Sequence, residues 1–104
     1  MNDKQYKLRI LPLFEADLNE IVDYITYRLK NPTAADHLVD AVEAAIYDRL
    51  PNAESFEPYQ SVRERKHPYF RIYVKNFIVF YVVIDDVMEV RRILCGKRNW
   101  KEIV

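Results

Sequence analysis

The sequence predicts a single α+β domain over residues 1–104, in which a helical hairpin packs on one face of a β-sheet. Two observations lead to this prediction. Residues 14–50 carry two apolar stripes with helical spacing, and residues 70–95 carry three successive apolar runs of strand length. A chain of 104 residues, half of them apolar, is long enough to bury one hydrophobic core.

The first element, from Tyr6 to Leu11, is predicted to be a strand. Leu8 and Ile10 alternate with charged residues, which places them on one face. Pro12 is expected to stop the hydrogen-bond ladder of this strand, because proline has no N–H to donate. The strand is expected to join the same sheet as the three C-terminal runs.

Two helices are predicted to follow. The apolar stripe of the first consists of Phe14, Leu18, Ile21, Val22, Ile25 and Leu29. Pro32 is expected to end this helix, because the residue before a proline avoids the α region. Thr33 is predicted to cap the second helix, and Pro51 to close it. The apolar stripe of the second consists of Ala35, Leu38, Val39, Val42, Ile46 and Leu50.

Residues 51–69 show no sustained helical or strand periodicity of apolar residues and contain three prolines, so a loop is predicted.

Three C-terminal strands are predicted after this loop. Phe70–Val74 alternates apolar with polar residues, and Phe77–Ile84 is continuously apolar, which is typical of a central strand covered on both faces. Turns are predicted at 75–76 and 85–86. Val87–Cys95 is predicted to be the last strand, ended by Gly96, the only glycine of the chain.

The net charge of zero conceals an asymmetry between the two parts of the chain. Residues 1–61 contain 6 Lys/Arg and 11 Asp/Glu, whereas residues 62–104 contain 10 and 5. The balances are therefore −5 and +5. A basic surface that binds nucleic acid or an acidic partner is one interpretation. The other is that the helices are acidic outside and the strands basic.

The sequence also indicates where in the cell the protein is located and which kinds of catalytic or metal site it lacks. No apolar run approaches the roughly 18 residues that span a bilayer, and the N-terminal residues lack a signal-peptide core, so a cytoplasmic location is expected. The single Cys95 excludes an internal disulfide and a Cys-rich zinc site. Glycine-rich nucleotide-binding motifs, HExxH and the nucleophile elbow are absent from the sequence. No cofactor or metal is expected.

The predicted sheet offers a candidate site. If Phe70 and its apolar partners face the helices, then Arg71, Tyr73 and Lys75 face the opposite side. Gly96 allows a tight turn or a positive φ, so the next two cations can fold toward that side. The predicted surface therefore carries Arg71, Tyr73, Lys75, Lys97 and Arg98, and the loop adds Arg63, Arg65, Lys66 and His67. Such a surface can bind phosphate, and the alternative is an ordinary solvated sheet face.

The β-α-α-β-β-β order resembles the RelE/ParE superfamily of bacterial type II toxins. The resemblance extends from Tyr6 to Trp100. It rests on three stretches, ADLNEIVDYI in the first helix, FIVFYVVIDD in the third strand and VRRILCGKRNW at the end. It implies a small growth-inhibiting toxin that is neutralised by an acidic antitoxin covering its basic surface. Gly96 is similar to the strand-terminating glycine of the family, and Arg98 to its functional arginine.

The resemblance implies one of two targets. RelE-like members cleave mRNA on the ribosome, which requires a base, an acid and cations around one phosphate. Arg98, Arg71, Tyr73 and His67 would then be catalytic, and Lys75, Lys97, Arg65 and Lys66 would bind the target. ParE-like members inhibit DNA gyrase and need no catalytic set. Ile78 and Val104 stand where RelE carries an arginine and a tyrosine. A third alternative is a non-toxic binding domain that kept the fold.

Overall fold

The structure is a computed structural model that describes residues 5–59 and 66–104. The elements in chain order are β1 (Lys7–Ile10), α1 (Pro12–Asp23), a π-helical turn (Tyr24–Arg28), α2 (Pro32–Arg49), a 3-10 turn (Leu50–Asn52), β2 (Phe70–Val74), β3 (Phe77–Ile84), β4 (Val87–Cys95) and a second 3-10 turn (Trp100–Glu102). The strands form one sheet in the order β1-β4-β3-β2, with β1 parallel to β4 and the other pairs antiparallel. The predicted α+β class is confirmed.

The helix starts follow from proline and asparagine chemistry. Pro12 is the first residue of α1, where a missing N–H costs nothing because the first N–H groups of a helix have no partner. The prediction that Thr33 caps α2 is wrong. Pro32 is the first helical residue, so the cap lies one residue earlier, and the Asn31 Oδ1 accepts a hydrogen bond from the Ala34 N–H at 3.1 Å.

The apolar stripe of the first helix ends earlier than predicted. Phe14 is buried, and Leu18, Ile21 and Ile25 pack against the helix-side core. Leu29, in contrast, is exposed. The cause is the π-helical turn, which adds a residue to one turn and therefore rotates the residues after it away from the stripe.

The three C-terminal strands and both predicted turns have the predicted bounds. One core lies between the sheet and the helices, and its sheet residues are Phe70, Ile72, Val74, Val79, Tyr81, Met88, Val90 and Ile93. A second cluster covers the opposite face and consists of Tyr69, Ile78, Phe80, Val82, Leu94, Trp100 and Val104. β3 is therefore covered on both faces, as predicted. Neither helix in the described ranges is long and apolar enough to cross a membrane.

Candidate functional site

The outward side chains of β2 form the first part of the candidate site. Phe70, Ile72 and Val74 are buried toward the helices, so Arg71 and Tyr73 lie on the other face. The Tyr73 side chain is 65% exposed. The Arg71 guanidinium lies 5.3 Å from the centre of the Tyr59 ring and 5.9 Å from that of Tyr73, within cation–π range.

The β2–β3 turn and the end of β4 bring two lysines together. Lys75 adopts a left-handed φ of 54°, which costs a non-glycine residue about 1 kcal/mol. Asn76, the next residue, accepts a hydrogen bond from the Gly96 N–H at 2.8 Å. A shallow pocket of about 210 Å³ results, lined by Tyr73, Lys75, Asn76, Phe77, Ile78, Gly96 and Lys97. Tyr73, Lys75 and Lys97 therefore line one pocket.

A glycine is needed at position 96 because the backbone of Asn76 packs closely against it. The sequence left open a tight turn or a positive φ at Gly96, and the structure shows no positive φ there. A Cβ atom at this position would lie 3.2 Å from the carbonyl oxygen of Asn76. Glycine thus allows the turn after β4 to approach the β2–β3 turn at hydrogen-bond distance.

Arg98 follows a tight turn, in which its N–H donates to the carbonyl of Cys95 at 3.0 Å. The residue is exposed. It lines a different groove from Lys97, one of about 430 Å³ between α1 and the end of β4, with Asp17, Glu20 and Tyr24 on the helical wall. Arg98 therefore sits at the border between the sheet face and an acidic helix.

The loop residues lie at the other end of β2. Lys66 is exposed and His67 is half-buried, and both precede the strand. Arg63 and Arg65 lie outside the described residues. β2 contains five residues and spans about 17 Å, so it separates His67 from Lys75 and Lys97. His67 is thus not brought next to the cations at the end of β4.

The centre of the outer face is apolar, as the predicted burial of β3 on both faces requires, but the part that Trp100 plays in it was not foreseen. The Trp100 ring packs 5.3 Å from the Phe80 ring and 5.1 Å from the Tyr59 ring. The Lys101 ammonium lies 5.8 Å from the Trp100 ring. Lys101 and Arg71 therefore each lie beside a ring of this aromatic cluster. The one signal for this in the sequence was the single tryptophan of the chain, which directly follows the cationic turn.

The ion pairs of the buried Glu89 on β4 were also missed. The Glu89 carboxylate accepts hydrogen bonds from Arg91 Nε at 2.8 Å and Arg9 Nη1 at 3.2 Å. Burial alone would raise the pKa of Glu89, but the two arginines outweigh it and hold the pKa below the ordinary 4.5. A glutamate within an apolar strand was the only sign of this cluster.

We call the residues Arg71, Tyr73, Lys75, Lys97 and Arg98 the basic surface. Its arginines can hold phosphate or carboxylate groups through paired hydrogen bonds, and its lysines can do so as point charges. The exposed Tyr73 ring can stack on a base or pack against an apolar side chain. These are the properties of a binding surface for a polyanion or an acidic protein.

Comparison with known proteins identifies a family. The model of the ParE toxin of the type II toxin–antitoxin system parDE matches residues 8–100. A solved structure described as the chromosomal ParDE TA system from P. aeruginosa superposes with a TM-score of 0.72 at 16% identity, covering 92% of this chain and 100% of that chain. No curated protein sequence matches the chain. The structural likeness supports the fold, and the family match covers most of the chain.

Proposed function

The chain belongs to the ParE toxin family of type II toxin–antitoxin systems, and from this we propose that it inhibits bacterial growth by binding DNA gyrase. The observation that carries the proposal is the family match over residues 8–100, which includes every described residue of the basic surface. Gyrase inhibition is the activity that the ParE side of the superfamily implies. It requires a binding surface and no bond-breaking chemistry.

The arrangement of the candidate residues supports gyrase binding over mRNA cleavage. Cleavage needs a general base and a general acid within hydrogen-bond reach of one phosphate. Lys75 and Lys97 lie at one end of β2, and His67 lies beyond the other end. Arg98 faces a neighbouring groove with Asp17. A single phosphate would meet only part of this set.

An antitoxin is the second partner that we propose. Residues 62–104 carry a charge balance of +5 and contain the whole basic surface. A protein with an acidic segment can therefore cover this surface and block access to the target. Opposite charges also accelerate the encounter of the two proteins, because they attract each other before contact.

A direct comparison of two assays tests the target. The purified chain is added to gyrase, ATP and relaxed plasmid, and in parallel to ribosomes translating a defined mRNA. We expect inhibited supercoiling in the first assay and intact mRNA, read by primer extension, in the second. Cleaved mRNA with unaffected gyrase would overturn the gyrase proposal and establish the RelE-like alternative.

Growth measurements test toxicity itself. Induced expression of the chain alone is expected to arrest growth, and co-expression of the protein encoded beside it is expected to restore growth. Unaffected growth at a verified level of folded protein would show that the chain is a non-toxic binding domain with the same fold.

A further inference from the structure

β4 extends well beyond β1, the strand beside it at the edge of the sheet. β1 pairs with β4 as far as Ile10 opposite Val90, whereas β4 continues to Cys95. α1 runs beside this longer part of β4, where Asp17 accepts the Ile93 N–H at 3.2 Å. A groove of about 430 Å³ lies between the helix and the end of the strand. We call this cavity the α1–β4 groove.

The floor of the α1–β4 groove is apolar and still reaches water. Ile21, Phe77 and Cys95 line it and are half-buried. Ile93 and Leu94 line it as well, although Ile93 packs in the helix-side core and Leu94 in the cluster on the outer face. The groove therefore crosses the edge of the sheet and connects the helix side with the face that carries the basic surface. Its volume lies within the range of roughly 300–1,000 Å³ that is typical of binding pockets.

Two side chains with a large contact area stand at the rim of the groove. Tyr24 follows Ile21 by three residues, which places both on the same side of the helix, and its side chain is 54% exposed. Arg98 lines the opposite wall and is also exposed. Tyrosine and arginine beside an apolar cavity are the residue types that dominate the binding free energy of protein interfaces. The rim therefore has the composition of a protein-binding site.

The charged residues of the groove differ in whether the fold already pairs them. Asp17 accepts two hydrogen bonds from Arg92, so its charge is neutralised within the protein. Within residues 5–59 and 66–104, neither Arg98 nor Glu20 forms an ion pair. Arg98 can therefore donate paired hydrogen bonds to a carboxylate, while Glu20 on the helical wall repels an acid from that side. A complementary partner inserts an apolar side chain and places a carboxylate at Arg98.

We propose that the α1–β4 groove holds a segment of the gyrase target, in which a large apolar residue inserts between α1 and β4 and an adjacent aspartate or glutamate binds Arg98. The inference rests on the proposed gyrase inhibition and names the site and the chemistry of recognition. The apolar floor favours a protein segment over nucleic acid, because a phosphate backbone has no apolar group to fill it. Arg98 also belongs to the basic surface, so a target bound in the groove continues onto that surface.

Two tyrosines of the π-helical turn provide a matched pair of variants. Tyr24→Ala removes the ring at the groove and is expected to raise the toxin concentration for half-inhibition of supercoiling at least about tenfold. Tyr27→Ala removes a ring that is 72% exposed and does not line the groove, so inhibition is expected to stay within about twofold. Tyr24→Phe keeps the ring and is expected to retain inhibition. Both side chains are exposed, so all three variants are expected to fold, and thermal melting checks this.

Cys95, the single cysteine of the chain, reports directly on occupancy of the groove. Its alkylation by N-ethylmaleimide is followed by mass spectrometry of the toxin with and without gyrase. We expect bound gyrase to protect Cys95 from alkylation. A double variant, Cys95→Ser with Tyr27→Cys, carries its thiol outside the groove and is expected to react equally fast in both samples. Toxin alkylated at Cys95 beforehand is expected to lose inhibition, because the added ring occupies the groove.

The outcomes separate the groove from the function on which it rests. A wild-type chain that does not inhibit supercoiling would overturn the proposed function itself. Normal inhibition by Tyr24→Ala, or unprotected Cys95 in the presence of gyrase, would overturn the groove inference and leave gyrase inhibition intact. Equal loss of inhibition in Tyr24→Ala and Tyr27→Ala would also overturn it, because the contact would then lie on the exposed helical turn. Loss of antitoxin binding by Tyr24→Ala with normal inhibition would assign the groove to the antitoxin instead.

Discussion

Arg92 on β4 donates two parallel hydrogen bonds to the carboxylate of Asp17 on α1. Its Nε lies 2.7 Å from Oδ2, and its Nη2 lies 2.9 Å from Oδ1. Asp17 also accepts the N–H of Ile93 at 3.2 Å. This N–H lies beyond Val90, the last residue of β4 that pairs with β1. One carboxylate thus fixes the helix to the sheet and satisfies a main-chain donor that the short β1 leaves unpaired.

Asp17→Ala is expected to destabilise the fold by about 1–3 kcal/mol, because it leaves a strand N–H and a largely buried guanidinium without their acceptor. The two side chains are only 11% and 21% exposed, so water replaces the carboxylate poorly. Thermal unfolding should show a fall of about 4–8 °C for each kcal/mol. Glu20→Ala, an exposed acid on the same helix, serves as the control and should stay within about 0.5 kcal/mol of the wild type.

Glu89 gives the fold a specific sensitivity to acid. Its pKa is below the ordinary 4.5 in the folded chain, because Arg91 and Arg9 hold the carboxylate in its charged form. A carboxyl group with a lowered folded pKa stabilises the fold above its unfolded pKa, and this contribution is lost as the pH falls through the folded pKa. The free energy of unfolding should therefore decline below about pH 4.5.

Glu89→Gln tests this origin of the acid sensitivity. The variant should be less stable at pH 7, and its stability should depend less on pH between about 5 and 3, since the titrating group is gone. Urea unfolding at a series of pH values measures both effects. Parallel pH profiles for the variant and the wild type would assign the acid sensitivity to other carboxylates.

Much of the fold was predictable, because local patterns decided it. The continuous apolar run of β3 and the turns on either side of it fixed three strands with the observed bounds. The two wrong predictions, the cap at Thr33 and the burial of Leu29, have local causes that the spacing of apolar residues does not show. Pro32 moved the helix cap to Asn31, and a π-helical turn rotated Leu29 outward.

The candidate site was less predictable, because it depends on contacts between distant residues. Alternation along β2 correctly placed Arg71 and Tyr73 on the outer face. It could not reveal that Trp100 fills the centre of that face, or that Glu89 binds two arginines, one of them 80 residues away. Such contacts follow from tertiary packing, which periodicity does not encode.

Gly96→Ala should cost about 1 kcal/mol of stability. The new Cβ would lie 3.2 Å from the Asn76 carbonyl oxygen, so the two turns must move apart by a few tenths of an ångström. The backbone itself tolerates alanine, because φ is not positive. Chemical denaturation measures the loss, and Lys97→Ala at the exposed next residue is the control. A loss of more than about 3 kcal/mol would contradict this account, since it would require strain beyond one close contact.

Association with the antitoxin should slow as salt is added. The Debye length falls from about 10 Å at 0.1 M to about 3 Å at 1 M, which screens attraction between the basic surface and an acidic partner. Stopped-flow measurement over this range gives the association rate. A double variant, Lys75→Gln with Lys97→Gln, should show a shallower salt dependence. An association rate that does not change with salt would exclude charge as the recognition force.

Arg98→Ala should abolish or strongly reduce growth inhibition with little change in stability. Arg98 is exposed and its turn is closed by main-chain groups, so the core does not require the side chain. Loss of an exposed charge typically changes stability by about 0.5 kcal/mol or less. Arg98→Lys should restore only part of the activity if the contact is bidentate, because lysine cannot form paired hydrogen bonds.

The measurements for Arg98 are growth arrest on induction and thermal melting of the purified variants. Lys7→Ala, an exposed cation on β1 far from the basic surface, is the matched control and should keep full toxicity. Full toxicity of folded Arg98→Ala would remove this residue from the target-binding site. A large fall in melting temperature would instead make Arg98 a structural residue, because its guanidinium would then hold the end of β4 against α1.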